Sequence, residues 1–207
     1  MKTYAIIESD LRYGCAGSLM DNLTTPEDVA YCRKYSRKTR QDQSLLARAI
    51  LRRGLAEHTG TSPFDWGISL GQDHYFKADH IAGSMSFYIS INHSKHKVVV
   101  AWSEKHRIGV DIEWLDPKRN MNAVLGQISH AHADIPEDLA QQYRLWTMYE
   151  AYFKASNLEP VRIPVALSQI VCLKPDDYVQ TLAFGEDNLT FETWLNADYV
   201  TTICYTE

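Results

Sequence analysis

Residues 107–116 read RIGVDIEWLD, and within this apolar-patterned run two acids, Asp111 and Glu113, stand two apart beside Gly109. Side chains of a strand alternate between faces, so Ile108, Val110, Ile112 and Trp114 share one face while Gly109, Asp111 and Glu113 share the other. The apolar face is expected to supply core. The opposite face carries two carboxylates next to a residue without a side chain, which leaves room for a ligand. Crowded carboxylates repel, and one takes up a proton unless a cation stands between them. A hard divalent ion such as Mg2+ suits the pair, because it takes oxygen ligands and keeps positions for water and phosphate. Taken alone, D-x-E also fits an edge strand whose acidic face looks into water.

A second stretch, QYRLWTMYEAYFKAS, sets Trp146, Glu150 and Lys154 four apart on one helical face, with Leu145, Met148, Tyr152 and Phe153 left for packing. A Glu four residues before a Lys is an ordinary helix-stabilising pair. Here, however, the acid is embedded among bulky aromatic residues, where partial desolvation calls for a compensating partner.

The elements that must position these residues follow from periodicity. TYAII at 3–7 reads as a strand, and Thr25 before Pro26 and Glu27 reads as a helix start. QDQSLLARAILRRGLAEHTG is a helix, with Leu45, Leu46, Ala49, Ile50 and Leu55 near helical spacing and Gly60 as its stop. Residues 61–84 read as loop with one short strand at WGISL, followed by strands at SFYISI, KVVVAW and RIGVDIEW. A helix is expected from Pro136 to Ser156, then strands at ALSQIVCL, LTFETWL and YVTTICY. The halves resemble each other: RAILRR from 48 can be laid on EAYFKA from 150 without gaps. A pseudo-duplicated α+β chain is expected, with halves 1–106 and 107–207, each a helix on a small antiparallel sheet, related by a pseudo-twofold with a cleft between them.

Composition narrows the function classes. With 45% hydrophobic and 23% charged residues the chain of 207 residues is globular rather than disordered. No apolar run is long enough to span a bilayer and the start does not resemble a secretory signal, so a cytoplasmic protein with no membrane partner is expected. Cys15, Cys32, Cys172 and Cys204 form no C-x-x-C pair and read as free thiols. A net charge of −5 argues against a nucleic-acid partner, so any anionic ligand must meet a local basic patch. One exists at RKYSRKTR, residues 33–40, which reads alone as a solvated face.

The paired motifs carry a resemblance. IGVDIE, and WTMYEAYFKA whose Glu150 lies 39 residues after Asp111, resemble the two-part signature of the 4′-phosphopantetheinyl transferases, roughly I-G-[VI]-D-x-E and then W-[ST]-x-K-E-[AS]-x-x-K. YISINHSKHKVVVAWS is similar to the F-[NS]-[IV]-S-H-S segment of that family, ARAILRR to its coenzyme-facing helix, and PEDVAYCRKY to a stretch of its surfactin-type, single-chain members. The resemblance implies transfer of the phosphopantetheine arm of coenzyme A to a serine of an apo acyl, peptidyl or aryl carrier protein, with release of adenosine 3′,5′-bisphosphate. It implies Asp111, Glu113 and Glu150 as ligands of Mg2+, Glu150 as base for the serine, and Lys154 as the group that neutralises or protonates the leaving phosphate. It implies coenzyme contacts from Arg48, Lys77, Asn92 and His93.

Some positions depart from the family pattern. Asn92 stands in place of the usual serine, and Tyr149 in place of the lysine of the usual K-E pair. HYFKAD around Lys77 lacks the glycine and proline of Y-G-K-P. Asp28, Tyr31 and Gln43 fall where relatives carry basic residues. The patch at 33–40 is placed either to compensate or to meet an acidic carrier. An internally duplicated chain has less need of a partner subunit, so a monomer is expected. The competing readings are a Mg2+-dependent phosphohydrolase or nuclease, which three carboxylates would also suit, and a coenzyme A-binding family member without catalysis. A zinc site from His93, His96, His130 and His132 is poorly supported, since no single element presents them at ligand spacing.

Overall fold

The computed structural model describes residues 4–71, 75–128, 135–156, 179–184, 187–196 and 198–206. The chain divides into two compact units, Met1–His106 and Arg107–Glu207, and the described residues form five α-helices and two antiparallel sheets. This is a mixed α+β architecture. Among the described residues no helix is long and apolar enough to cross a membrane.

In the first unit β1 (Ala5–Asp10) leads into α1 (Cys15–Leu23), α2 (Pro26–Cys32) and α3 (Lys38–Thr59). Then come β2 (Trp66–Leu70), β3 (Phe76–His80), β4 (Ser86–Ser94) and β5 (Lys97–Ser103), in sheet order β1-β5-β4-β3-β2. Thr25 caps α2 reciprocally: its hydroxyl accepts from the Asp28 amide while the Asp28 carboxylate accepts from its own, and Pro26 occupies the first turn. At the far end of α3 Gly60 takes the left-handed conformation, φ +73°, that a side chain disfavours. Leu46, Ile50, Leu51 and Leu55 of α3 pack with Phe87, Val98, Val100 and Trp102 of the sheet.

β3 is a strand where loop was expected. Its sequence FKADH offers only Ala78 to the core, so the alternating apolar signal is nearly silent. Backbone pairing with β4, Lys77 to Tyr88 and Ala78 to Phe87, makes it a strand.

The second unit runs β6 (Ile108–Trp114), α4 (Met121–Ile128), α5 (Leu139–Ser156), β7 (Val179–Phe184), β8 (Asp187–Asn196) and β9 (Tyr199–Thr206), in sheet order β6-β9-β8-β7. Strands at LTFETWL and YVTTICY were expected and are β8 and β9, β7 was not foreseen, and the strand expected at ALSQIVCL lies outside the described residues. α5 starts at Leu139 rather than Pro136 because the Asp138 carboxylate accepts from the Gln141 amide at 2.9 Å, capping the helix there. Tyr143, Leu145, Met148, Ala151 and Ala155 of α5 form a core with Leu189, Phe191, Val200 and Cys204.

Candidate functional site

The site grows from one close approach. A Cβ built on Gly109 would overlap the carbonyl oxygen of Ala151 and stand 2.8 Å from the amide nitrogen of Ala155. Only a residue without a side chain lets β6 lie directly against the backbone of α5. This corrects the expectation that Gly109 leaves room for a ligand and that its face of the strand is open: that face is the one α5 covers. With Gly109 against Ala151 and Ala155, the face of α5 bearing Trp146, Glu150 and Lys154 is laid along the carboxylates of β6.

Two hydrogen-bonded pairs mark the ends of this contact. Lys154 Nζ donates to Asp111 Oδ1 at 2.7 Å and to the Val110 carbonyl at 3.1 Å. Trp146 Nε1 donates to Glu113 Oε1 at 3.2 Å, and Arg119 Nη1 reaches the same oxygen at 3.4 Å with its guanidinium 5.5 Å from the Trp146 ring centroid. A chain of buried hydroxyls ties α5 to the middle of the sheet: Thr147 meets Thr202 at 2.7 Å and Thr202 meets Thr193 at 2.9 Å. Thr202 is the cross-strand neighbour of Asp111.

The electrostatics show three acids in each other's field. Asp111 is 2% exposed, and burial pushes its carboxyl up to about 7, against the pull of Lys154 and with a further push from Glu113 and Glu150. Burial also raises half-buried Glu150, opposed by Lys154, reinforced by Glu113 and opposed again by Arg119. Tyr149 is raised by burial and by the Glu150 charge, and its ring lies 5.9 Å from that of Trp146. Among the described residues no three His, Cys, Asp or Glu side chains are set to hold one ion as they stand. The donor set itself is all carboxylate oxygen, which is what a hard divalent cation takes.

The remaining expected residues lie in the first unit. Arg48 is buried, donates to Asp28 Oδ1 at 3.3 Å and stacks 4.0 Å over the Tyr31 ring. It thus serves an internal ion pair. Lys77 on β3 lies 4.9 Å over the Tyr88 ring. Strand alternation puts Asn92 on the face of Tyr88 and Lys77, and His93 on the opposite face with Phe87, Ile89 and Ile91. The Asn92 carboxamide oxygen accepts from the His93 amide at 2.7 Å. Lys77 and Asn92 therefore share a face that neither His93 nor Arg48 joins.

Sequence reasoning missed Arg119 and the threonine chain. Arg119 belongs to a connecting segment without periodicity, so only its sign could have pointed to it. The threonines, in different elements, carry no joint signal in one dimension. Compared with known proteins, the chain matches no family model and no curated protein.

Proposed function

We propose that this chain is a Mg2+-dependent 4′-phosphopantetheinyl transferase of the single-chain, surfactin type, with the pseudo-twofold fold of that family. It would move the phosphopantetheine arm of coenzyme A to a serine of an acyl, peptidyl or aryl carrier protein. One observation carries the reading. Asp111 on β6 feels the charges of Glu113 on β6 and Glu150 on α5, Glu150 feels that of Glu113, and Lys154 donates to Asp111, the same four residues that the paired motifs single out.

Asp111, Glu113 and Glu150 would hold Mg2+, which when bound supplies positive charge against the diphosphate of the coenzyme. Glu150, half-buried and raised by that burial, is suited to accept the serine hydroxyl proton near neutral pH. The serine oxygen then forms a bond to the β-phosphorus as the bond to the bridging oxygen breaks, and adenosine 3′,5′-bisphosphate leaves. Lys154 Nζ neutralises the departing phosphate oxygen or gives it a proton. Catalysis of this kind depends on positioning and charge stabilisation, which the rigid contact of β6 with α5 provides. Lys77 and Asn92 are the coenzyme contacts that share a face; His93 would contact a phosphate from the other.

The test incubates the protein with coenzyme A, Mg2+ and a panel of apo carriers and reads carrier mass. A gain of one phosphopantetheine on at least one carrier is expected. Release of phosphate or nucleotide with no carrier modified would instead support a hydrolase, and coenzyme binding without transfer a non-catalytic member. Lys154→Ala is expected to slow turnover more than it weakens coenzyme binding, and the reverse would move Lys154 from chemistry to affinity.

A further inference from the structure

We propose that Arg119 competes with a divalent cation for Glu113, and that cation binding hands Arg119 from Glu113 to an anionic oxygen of the substrate's diphosphate. The inference rests on the function proposed above and assigns a role that neither paired motif contains.

Two cationic groups of this unit, Lys154 and Arg119, act on Asp111, Glu113 and Glu150. Arg119 faces the Glu113 end of the cluster, with Nη1 3.4 Å from Glu113 Oε1, and its charge also acts on Glu150. It therefore serves two of the three carboxylates that a divalent ion would share. Of the two internal cations, Arg119 is the one that can yield. Lys154 is anchored by bonds of 2.7 and 3.1 Å and is paired with a carboxylate whose side chain is 3% exposed. Arg119 makes one long hydrogen bond to a carboxylate and a ring contact with Trp146, its side chain is 35% exposed, and it stands on the connection between β6 and α4 rather than on either element. An exposed, long ion pair contributes little and is readily exchanged, whereas removing one partner of a buried pair is strongly unfavourable.

With a divalent ion on Glu113, the Arg119 guanidinium is released from that carboxylate. A guanidinium offers five N–H donors in a fork that fits phosphate oxygens. A site that begins with its own cation on Glu113 thus gains an anion-binding group only after the metal arrives, so the metal and the diphosphate bind in a cooperative order.

The test uses the full chain treated with chelator, with Mn2+ as the metal probe and coenzyme A as the anion, both followed by calorimetry. Arg119→Gln is expected to tighten Mn2+ binding in the absence of coenzyme by about three- to fivefold, the worth of the exposed pair it removes. The same variant is expected to weaken coenzyme A binding in the presence of Mg2+ by about tenfold, the worth of a charged hydrogen bond. Arg119→Lys should fall between wild type and Arg119→Gln on both, and thermal melts of each variant confirm folding. Weaker Mn2+ binding in Arg119→Gln, or no change, overturns the inference while leaving the transferase reading in place. Tighter Mn2+ binding with unchanged coenzyme binding overturns the hand-over. Absence of Mn2+ binding by every protein, wild type included, removes both the inference and the metal-dependent reading beneath it.

Discussion

Asp28 in the first unit and Asp111 in the second are both nearly closed to solvent, 3% and 2% exposed, yet their carboxyls are driven in opposite directions. Burial pushes Asp28 up, but the Arg52 hydrogen bond at 2.8 Å, the Thr25 amide and the charges of Arg52 and Arg48 outweigh it and hold the group below its ordinary value. Burial pushes Asp111 up as well, and there one lysine is opposed by two further carboxylates, so the push prevails and the group reaches about 7. Two things differ: Asp111 lies deeper within the protein, so burial weighs more on it, and its counter-charge is smaller. Asp28 has two arginines, is shared with a helix cap, and is complete within the fold. Asp111 is drawn by Lys154 and pushed by Glu113 and Glu150, on top of its burial. A buried acid that its neighbours push up is a candidate for function, whereas a carboxylate held low by its counter-ions reads as structure.

The comparison can be broken by mutation, beginning with the largest effect. Asp111→Ala is expected to reduce carrier modification on the order of a thousandfold, the scale of several kcal/mol of lost charge stabilisation, with any fall in the urea midpoint too small to leave the chain unfolded under assay conditions. An unaffected rate would place Asp111 among structural acids beside Asp28. Asp28→Ala should do the reverse: with two arginines left buried, unfolding free energy is expected to fall by about 3–5 kcal/mol, read from urea melts.

The two close-packed glycines sharpen the contrast further. At Gly54 of α3 a Cβ would overlap the Trp102 ring and come within 2.7 Å of Ile7 Cδ1, both side chains that can shift. At Gly109 it would meet backbone of α5, which cannot. Gly109→Ala is therefore expected to lower stability by about 3 kcal/mol, at the upper end of overpacking losses, and Gly54→Ala by about 1 kcal/mol. Gly109→Ala should also reduce activity beyond its effect on folding, because it separates the strand that bears Asp111 and Glu113 from the helix that bears Glu150 and Lys154.

The smallest effects are in pH dependence, measured as melting temperature with chelator present. Asp28 is held low, so its contribution is complete above about pH 4, the ordinary range for a free carboxyl, and is lost as pH falls through its folded-state value. The advantage of wild type over Asp28→Asn should accordingly shrink on acidification. Asp111 is held high, so from the unfolded value up to about 7 the folded chain keeps a proton that the unfolded chain releases. Stability then falls as pH rises across that window. Asp111→Asn, neutral throughout, should match wild type near pH 5 and melt higher than wild type at pH 8. Added Mg2+ should erase that difference by stabilising wild type alone.

Much of this was legible in one dimension because it is local. Period-2 alternation placed Asp111 and Glu113 on one face of β6, and the spacing of four placed Trp146, Glu150 and Lys154 on one face of α5. Thr25 with Pro26 marked the start of α2, and Gly60 the end of α3. Each of these signals lies within a few residues of what it governs. The strand β3 was not legible, because one buried alanine is too little apolar patterning to announce a strand that backbone pairing with β4 creates.

By itself the sequence determined which acids share a face and which helix carries their partners, since side-chain direction within an element follows from its backbone geometry. The tertiary structure alone decided how charge is matched. Lys154 meets Asp111 from 43 residues away, and Arg48 meets Asp28 from 20. It also showed that Gly109 serves the packing of β6 on α5, and that Arg119 reaches Glu113 from a segment without pattern. Burial and counter-ions come from contacts distant in the chain, and they set the state of a carboxylate more strongly than its sequence neighbours do.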